Sequence, residues 1–190
     1  MKDELKRFFG LFSMLLSISV FGQSTLNINT HQIDSIINAW HKRVLGKPLP
    51  TFVVAGSDGI VNNDSLKGKV IFINMWESHC APCMAEMETL NKLYDTLRDN
   101  PDFQFISISS DSPEVIQKIK AKYHIQYNIY HLDEEGCFEL NGGMGYPTYF
   151  ILDEKNLVKH AYAGGSTDSI DIWHFIFSNE IYPAIIKELH

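Results

Sequence analysis

The sequence predicts an α/β fold in which a central mixed sheet carries helices on both faces. Two apolar runs, residues 70–76 and 103–108, are typical of strands buried on both faces, and they alternate with segments of helical periodicity. The chain then closes with two strand-like runs, 148–152 and 157–162, and a helical tail. Strands that alternate with helices form parallel pairs, whereas a closing hairpin adds antiparallel ones, so the sheet is mixed.

The composition is that of one ordinary folded domain with an extension. The chain has 190 residues, of which 45% are hydrophobic and 21% charged, and this excludes collagen-like, disordered and multi-pass membrane proteins. Three cysteines are too few for a scaffold built from disulfides. The formal net charge of −7 argues against a nucleic-acid-binding surface, so we expect no nucleic-acid partner.

Residues 1–22 have the pattern of a signal peptide. A basic start precedes residues 8–20, which carry no charge and are too few to span a bilayer as a helix. Compact residues at Val20 and Gly22 predict cleavage before Gln23, and hence export to the periplasm or another space of the cell envelope outside the cytoplasm. The alternative is an uncleaved anchor. The basic residues are Lys2, Lys6 and Arg7.

Residues 23–45 are predicted to be an N-terminal extension that ends in an amphipathic helix. Its apolar side chains recur at helical spacing and form one face of the helix. Gly46 and Pro48 end the helix, and residues 46–190 form the main domain. The apolar stripe consists of Ile33, Ile36, Ile37, Trp40 and Val44.

The remaining elements follow from periodicity and from the positions of proline and glycine. The tail is predicted to be helical from Thr167 and to break near Pro183, because proline disrupts a helix interior. Between the strands already given, the pattern predicts strands at 51–55 and 127–131, a turn at 56–59, and helices at 82–98, 113–123 and 134–140.

The chemistry of the chain lies in Cys80-Ala81-Pro82-Cys83, which follows a buried strand and opens a helix. Two intervening residues allow both sulfurs to meet, so that a disulfide can form and break with little backbone movement. Cys80 lies at the helix N-terminus, where unpaired N–H groups and the helix dipole favour a thiolate. We therefore expect Cys80 to attack and Cys83 to resolve the mixed disulfide.

Two other uses of the cysteine pair remain open at this point. His79 with Cys80 and Cys83 could hold a soft metal such as copper(I), although no second CxxC or paired histidine motif completes a zinc site. A purely structural disulfide is disfavoured, because closing so short a loop stabilises a fold little. The prediction is a redox pair without a metal or organic cofactor.

The segment Asn74-Met75-Trp76-Glu77-Ser78-His79 before the cysteines, and Gly145-Tyr146-Pro147-Thr148 later in the chain, resemble the thioredoxin superfamily. The likeness is greatest to the exported TlpA/ResA-like thiol-disulfide oxidoreductases. Gly46-Lys47-Pro48-Leu49-Pro50 and Ser109-Ser110-Asp111 occur in the matching order. The resemblance covers roughly residues 46 to 175 and implies a thioredoxin-like fold with an N-terminal helix and hairpin extension.

The resemblance also implies roles for single residues. Pro147 would be cis and face the sulfurs, where the backbone of Tyr146 pairs with an extended client segment. Trp76 and His79 would contact the client. Glu86, one turn after Cys83, would move the proton of the buried thiol and place negative charge beside it. Asn74 stands where thioredoxins carry a buried aspartate and cannot serve as that base, and His79 stands where a tryptophan is common.

The function that the resemblance implies is reduction of disulfides in protein clients, with a membrane thiol electron donor that recycles the pair. Cytochrome c maturation is the implied process. Oxidation or isomerisation of disulfides by the same pair is the first alternative, and a copper carrier is the second. Cys137 has apolar neighbours in a short helix-like stretch, so we expect a bystander, although a third redox thiol is conceivable there.

Overall fold

A computed structural model describes residues 30–56 and 59–190 of the chain. The predicted signal peptide and its cleavage site, and Ser57 and Asp58 of the predicted turn, lie outside these residues. The helices are α1 (Thr30–Val44), α2 (Ala81–Leu97), α3 (Pro113–Lys122), α4 (Glu134–Asn141), α5 (Ser169–Trp173) and α6 (Ile181–Glu188). The strands are β1 (Val53–Gly56), β2 (Gly59–Asn62), β3 (Val70–Trp76), β4 (Phe103–Ser109), β5 (Ile129–His131), β6 (Thr148–Leu152) and β7 (Val158–Ala163).

The strands form one seven-stranded mixed sheet in the order β2-β1-β5-β4-β3-β6-β7. The three central strands β5, β4 and β3 run parallel, and the outer pairs are antiparallel. Helices cover both faces: α1 and α4 pack on one side, and α2, α3, α5 and α6 on the other. The predicted α/β architecture is confirmed.

Strand β3 is buried along its whole length and divides the core into two layers. Successive strand side chains point to opposite faces. Accordingly Phe72 and Trp76 lie in the layer under α2, whereas Ile71, Ile73 and Met75 lie in the layer under α1 and α4. The continuous apolar run in the sequence is therefore explained by burial on both sides.

The register of the sheet aligns three polar residues in one row. Asn74 of β3 lies opposite Ser107 of β4 and opposite Tyr149 of β6. Directly opposed residues on one face of a sheet are close enough to interact. This row lies under α2, the helix that begins at the cysteine pair.

Helix α1 packs on the sheet with only part of its apolar stripe. Trp40 is fully buried, with its ring centroid 5.8 Å from that of Phe150, and His41 Nε2 lies 2.9 Å from the Ala161 carbonyl oxygen. Ile33 and Ile36, by contrast, are 45% and 52% exposed. The predicted helix is confirmed, but only the last turns of its apolar face are packed, because the described sheet and α4 meet the helix only near Trp40.

The C-terminal tail is helical but breaks before the residue expected to break it. A π-helical segment, His174–Asn179, continues α5, and the chain turns at Glu180, where φ is −124°. Pro183 lies in the first turn of α6, where its missing N–H would have had no helical partner. Proline here permits a new helix rather than interrupting one. Within the described residues, no helix is both long enough and apolar enough to cross a membrane.

Candidate active site

The cysteine pair forms a disulfide at the N-terminus of α2. Cys80 is the N-cap residue, and its sulfur accepts a hydrogen bond from the Cys83 backbone N–H at 3.2 Å. The two Cα atoms lie 5.3 Å apart. Pro82 fits the first turn, which needs no N–H donor there. Cys80 is partly exposed and Cys83 is fully buried, so an incoming sulfur can reach only Cys80.

A chain of buried hydrogen bonds lies beneath the disulfide. Trp76 Nε1 donates to Ser107 Oγ at 2.7 Å, and Ser107 Oγ donates to Asn74 Oδ1 at 3.4 Å. Asn74 Nδ2 donates to Glu86 Oε1 at 3.3 Å, and the Tyr149 hydroxyl donates to Glu86 Oε2. All five side chains are buried. These hydrogen bonds connect the row of Ser107, Asn74 and Tyr149 on the sheet to the carboxyl of Glu86, which lies one helical turn from Cys83.

Burial controls the protonation of Glu86. The side chain is only 2% exposed. Loss of hydration raises the pKa of its carboxyl to about 8, although the hydrogen bonds from Tyr149 and Asn74 lower it in part. The expectation that Glu86 places negative charge beside the thiols at neutral pH is therefore wrong for the disulfide form. At pH 7 this carboxyl mainly carries a proton, and it becomes charged only at higher pH.

Pro147 and the cysteine loop approach each other across Gly165. The Tyr146–Pro147 bond is cis. A Cβ on Gly165 would lie 3.0 Å from Pro147 Cγ and 3.2 Å from Pro82 Cβ, so both prolines border the same small space. The Gly164 N–H also donates to the Pro147 carbonyl at 2.9 Å. The structure thus brings Pro147 to the CxxC segment.

Hydrogen bonds from Asn141 fix the glycine-rich turn before Pro147. Asn141 is buried, and its Nδ2 donates to the Gly145 carbonyl at 3.1 Å while its Oδ1 accepts from the Gly143 N–H at 2.8 Å. Gly142, Gly143 and Gly145 all have φ between 66° and 77°, a conformation that favours glycine. The glycines therefore make a tight turn that carries Tyr146 and Pro147.

Sequence reasoning missed a clamp on the loop before Cys80. The Ser78 backbone N–H and hydroxyl donate to the two carboxylate oxygens of Asp111 at 2.6 and 2.9 Å. Ser109 Oγ donates to the same carboxylate at 3.2 Å. The available signal was the polar triplet Ser109-Ser110-Asp111 at a strand end, because neighbouring parallel strands end at the same edge of a sheet.

The three predicted client contacts have different surroundings. His79 is exposed, and Tyr146 is half-buried, where loss of hydration raises the pKa of its hydroxyl above the usual range. Trp76, however, is fully buried in the core beneath α2. The prediction of Trp76 as a client contact is wrong for this form of the protein, because a side chain at the buried end of β3 has no surface to offer.

Cys137 is buried, but in the other core layer. Its side chain packs under α1 and α4, whereas Cys83 packs under α2. Its sulfur lies 3.4 Å from the Leu132 carbonyl oxygen, and burial raises the pKa of the thiol to about 11. This placement fits the prediction of a bystander. In the described part of the chain, no three His, Cys, Asp or Glu side chains are grouped as ligands of a metal ion.

Comparison with known protein families matches residues 45–172 to the family described as Redoxin. The chain belongs to the Redoxin family. Thiol-disulfide oxidoreductase ResA of Halalkalibacterium halodurans is 26% identical over 170 residues, which cover 88% of this chain and 93% of that protein. Thiol:disulfide interchange protein DsbE of Pseudomonas fluorescens is 28% identical over 156 residues, which cover 80% and 81%.

A solved structure supports the fold independently. The thioredoxin domain of a thiol-disulfide oxidoreductase from Bacteroides vulgatus superposes with a TM-score of 0.61 at 18% identity, over 77% of this chain and 99% of that one. The predicted thioredoxin-like fold and the ResA-like resemblance are confirmed. With the Cys80–Cys83 disulfide at the start of α2, this Redoxin-family chain is a thiol-disulfide oxidoreductase.

Proposed function

We propose that this redoxin is an exported reductant that opens disulfides in protein clients. The observation that carries the proposal is the asymmetry of the Cys80–Cys83 pair. Cys80 is partly exposed at the start of α2, and Cys83 is buried behind it. Such a pair forms one transient bond to a client and then closes internally.

The reaction begins with the reduced pair. The Cys80 thiolate attacks one sulfur of the client disulfide, and the other client sulfur leaves as a thiolate. The Cys83 N–H and the N-terminus of α2 stabilise the attacking thiolate. Cys83 then attacks the Cys80 sulfur of the mixed disulfide, and the client leaves with two electrons gained. The Cys80–Cys83 disulfide is the product form.

Glu86 serves the second half of this reaction. Cys83 must lose its proton before it attacks, and it lies in a buried environment that disfavours a thiolate. Glu86 is one helical turn away on the same side of α2, and its raised pKa suits a group that takes up a proton near neutral pH. In the reverse direction it returns that proton to the Cys83 thiolate.

Two features favour the reducing direction. Strong oxidants of this superfamily reach their potential by stabilising the thiolate of the first cysteine. Here no histidine lies between the cysteines, and the His79 side chain is exposed rather than packed against them. Burial of Cys83 also disfavours the reduced pair in its thiolate form, which favours the disulfide.

The setting of the reaction is part of the proposal. The basic start and apolar run of residues 1–22 support export, and a pair outside the cytoplasm needs a membrane thiol donor to return it to the dithiol. The relatives named thiol-disulfide oxidoreductase ResA and thiol:disulfide interchange protein DsbE support protein clients. Within that class we propose cytochrome c maturation, where a CxxCH disulfide requires reduction before haem attachment.

Trapping of client proteins tests the assigned roles. Cys83→Ser should accumulate mixed disulfides through Cys80, because no thiol remains to release them. Cys80→Ser is the matched control and should trap none, since Cys83 is buried. Non-reducing electrophoresis of cell-envelope extracts, followed by reduction, measures the adducts. Equal trapping by the two variants, or none by either, would contradict the proposal.

A further inference from the structure

The loop that carries Cys80 is held by the carboxylate of Asp111. Residues 77–79 connect the end of β3 to Cys80, the N-cap residue of α2. Both donors of Ser78 in this loop, the backbone N–H and the hydroxyl, bond to Asp111, which lies after the end of β4. A carboxylate that accepts two hydrogen bonds from one residue fixes both the position and the orientation of that residue.

We propose that Asp111 is a positioning residue of the disulfide exchange. Through Ser78, it places the Cys80 sulfur relative to the turn that carries Tyr146 and Pro147, so that Cys80 meets a client disulfide in line with its S–S bond. The inference rests on the proposed function, in which Cys80 attacks a protein client. It adds to that attack a residue from a different part of the sheet.

Asp111 is suited to this role because the sheet holds it in turn. Its backbone N–H donates to Ser109 Oγ at 3.2 Å, and the Ser109 hydroxyl donates to its carboxylate at 3.2 Å. The His131 ring nitrogen Nδ1 lies 2.8 Å from the Asp111 carbonyl oxygen, and this nitrogen must donate because a carbonyl oxygen only accepts. Ser109 and His131 end the neighbouring parallel strands β4 and β5. Asp111 therefore fixes the loop before Cys80 to the sheet.

The position of Ser78 determines that of Cys80, because the loop between β3 and α2 is short and closed. The Cys80 N–H donates to the Glu77 carbonyl oxygen at 3.2 Å, which closes a tight turn around Ser78. Before this turn, Trp76 is fully buried at the end of β3. After it, Cys80 begins α2 as its N-cap residue. The turn thus has fixed ends, and Asp111 fixes its middle.

A client bonded to Cys80 also meets the turn of Tyr146 and Pro147. Pro147 borders the same small space as Pro82 of the CxxC segment. Tyr146 lines a groove together with Ser110 of the segment after β4. This segment therefore borders both the loop before Cys80 and the Pro147 turn, and it can fix one relative to the other.

Disulfide exchange depends on this relative placement, because the attacking sulfur must approach along the line of the bond that breaks. The Cys80 thiolate forms a new S–S bond, the client S–S bond breaks, and the second client sulfur leaves as a thiolate. A misplacement of about 1 Å can slow a reaction by about a hundredfold. A protein client cannot adjust its approach once its chain rests on the Pro147 turn, whereas a small disulfide can turn freely. The two kinds of substrate should therefore respond differently to loss of the contact between Ser78 and Asp111.

The test compares these two substrates in the protein carrying Cys83→Ser, so that attack by Cys80 is the only step. One probe is a peptide whose CxxCH cysteines form a disulfide, and the other is dithiobis(nitrobenzoate). Rates are measured across pH and compared at the plateau where Cys80 is a thiolate, so that a change in the pKa of Cys80 does not affect the comparison. Asp111→Asn should lower the plateau rate with the peptide by about tenfold and leave that with dithiobis(nitrobenzoate) within about twofold.

Ser78 variants test the contact from its other end. Ser78→Ala loses the hydroxyl bond and keeps the backbone bond, so the rate with the peptide should fall less, by about threefold. Ser78→Thr keeps both donors and should recover the rate of the Cys83→Ser parent. Asp99→Asn, the same substitution at an exposed residue just after α2, should match the parent with both probes. If Asp111→Asn does not fold, the difference between Ser78→Ala and Ser78→Thr decides alone.

The outcomes separate the positioning role from the proposed function. If Asp111→Asn matches the parent with the peptide, or slows both probes equally, Asp111 does not position Cys80 against a client, and the proposed function stands. If the parent reacts with dithiobis(nitrobenzoate) but forms no mixed disulfide with the peptide, the proposed reduction of such clients is wrong, and the positioning role is wrong with it.

Discussion

The buried carboxyl of Glu86 makes the stability of the folded protein depend on pH. Its pKa is about 8 in the folded state against a usual 4.5, so the folded state holds a proton that the unfolded chain releases. This stabilising contribution is fully present below about pH 4.5 and is lost as the pH rises towards 8. The upper bound of the loss is about 5 kcal/mol.

Glu86→Gln should remove this dependence, because an amide does not titrate. Urea unfolding of the oxidised proteins at about pH 5 and about pH 8.5 measures it. The wild type should lose stability relative to Glu86→Gln between these two pH values. Glu88→Gln, at an exposed position on the same helix, should keep the wild-type dependence. Parallel curves for wild type and Glu86→Gln would show that the buried carboxyl does not retain its proton.

Cys137 should have no part in disulfide exchange. It is fully buried in the core layer opposite Cys83, so its sulfur has no path to the pair. Cys137→Ser should keep the wild-type rate of client reduction and lose about 1–2 kcal/mol of stability, because a hydroxyl replaces a buried thiol. A severalfold drop in exchange rate with an intact fold would instead identify Cys137 as a third redox thiol.

The sequence predicted the chemistry of single residues better than their surroundings. Cys80 and Cys83 could be assigned because their roles depend on a local event, the start of a helix. The burial of Trp76 and of Glu86 depends on which strands and helices pack above them. That information lies in the register of three strands, which the sequence does not display residue by residue.

At the scale of elements, the loop before α2 depends on a contact from Asp111, which lies just after the end of the neighbouring strand β4. Asp111→Asn replaces one acceptor oxygen by a donor, so Ser78 should lose one of its two hydrogen bonds. We expect a loss of about 1–3 kcal/mol and faster hydrogen exchange at the Ser78 amide. Ser78→Ala should lose only the hydroxyl bond and keep amide protection. Unchanged exchange in Asp111→Asn would show that the carboxylate does not hold the loop.

Helix α1 should be anchored by one side chain. Trp40 is fully buried against Phe150, whereas Ile36 is 52% exposed. Trp40→Ala should cost about 3–5 kcal/mol of unfolding free energy, as large cavities in a core do. Ile36→Ser should change it by no more than about 0.5 kcal/mol. Chemical unfolding of both variants measures this, and a similar cost for the two would mean that the whole apolar stripe is packed.

At the scale of the whole molecule, the order of strands and helices could be predicted from the sequence. The runs that became β3, β4 and β6, and the helix that begins at Cys80, have strong local patterns and local end signals. The clamp between Ser78 and Asp111 could not be predicted, because these residues are distant in the chain and meet only through packing. The exposed first turns of α1 could not be predicted either, since periodicity shows an apolar face but not what covers it.

The parts of the fold that surround the cysteine pair determine its redox potential. The sheet buries Cys83 and Glu86, α2 presents Cys80, and the Pro147 turn closes the other side. Under the proposed function, we expect these features to stabilise the disulfide form more than they stabilise a thiolate at Cys80. The molecule as a whole is therefore expected to be a reductant.

A redox titration of the Cys80–Cys83 pair tests this central claim most directly. The superfamily ranges from about −270 mV for thioredoxin to about −120 mV for the oxidant DsbA, a gap of roughly 7 kcal/mol. The protein should be equilibrated in thiol–disulfide buffers, and the reduced fraction followed by alkylation. We expect a potential below about −200 mV, with a Cys80 pKa above about 6. A potential near −120 mV, with a Cys80 pKa below about 5, would contradict the account and identify the protein as an oxidant.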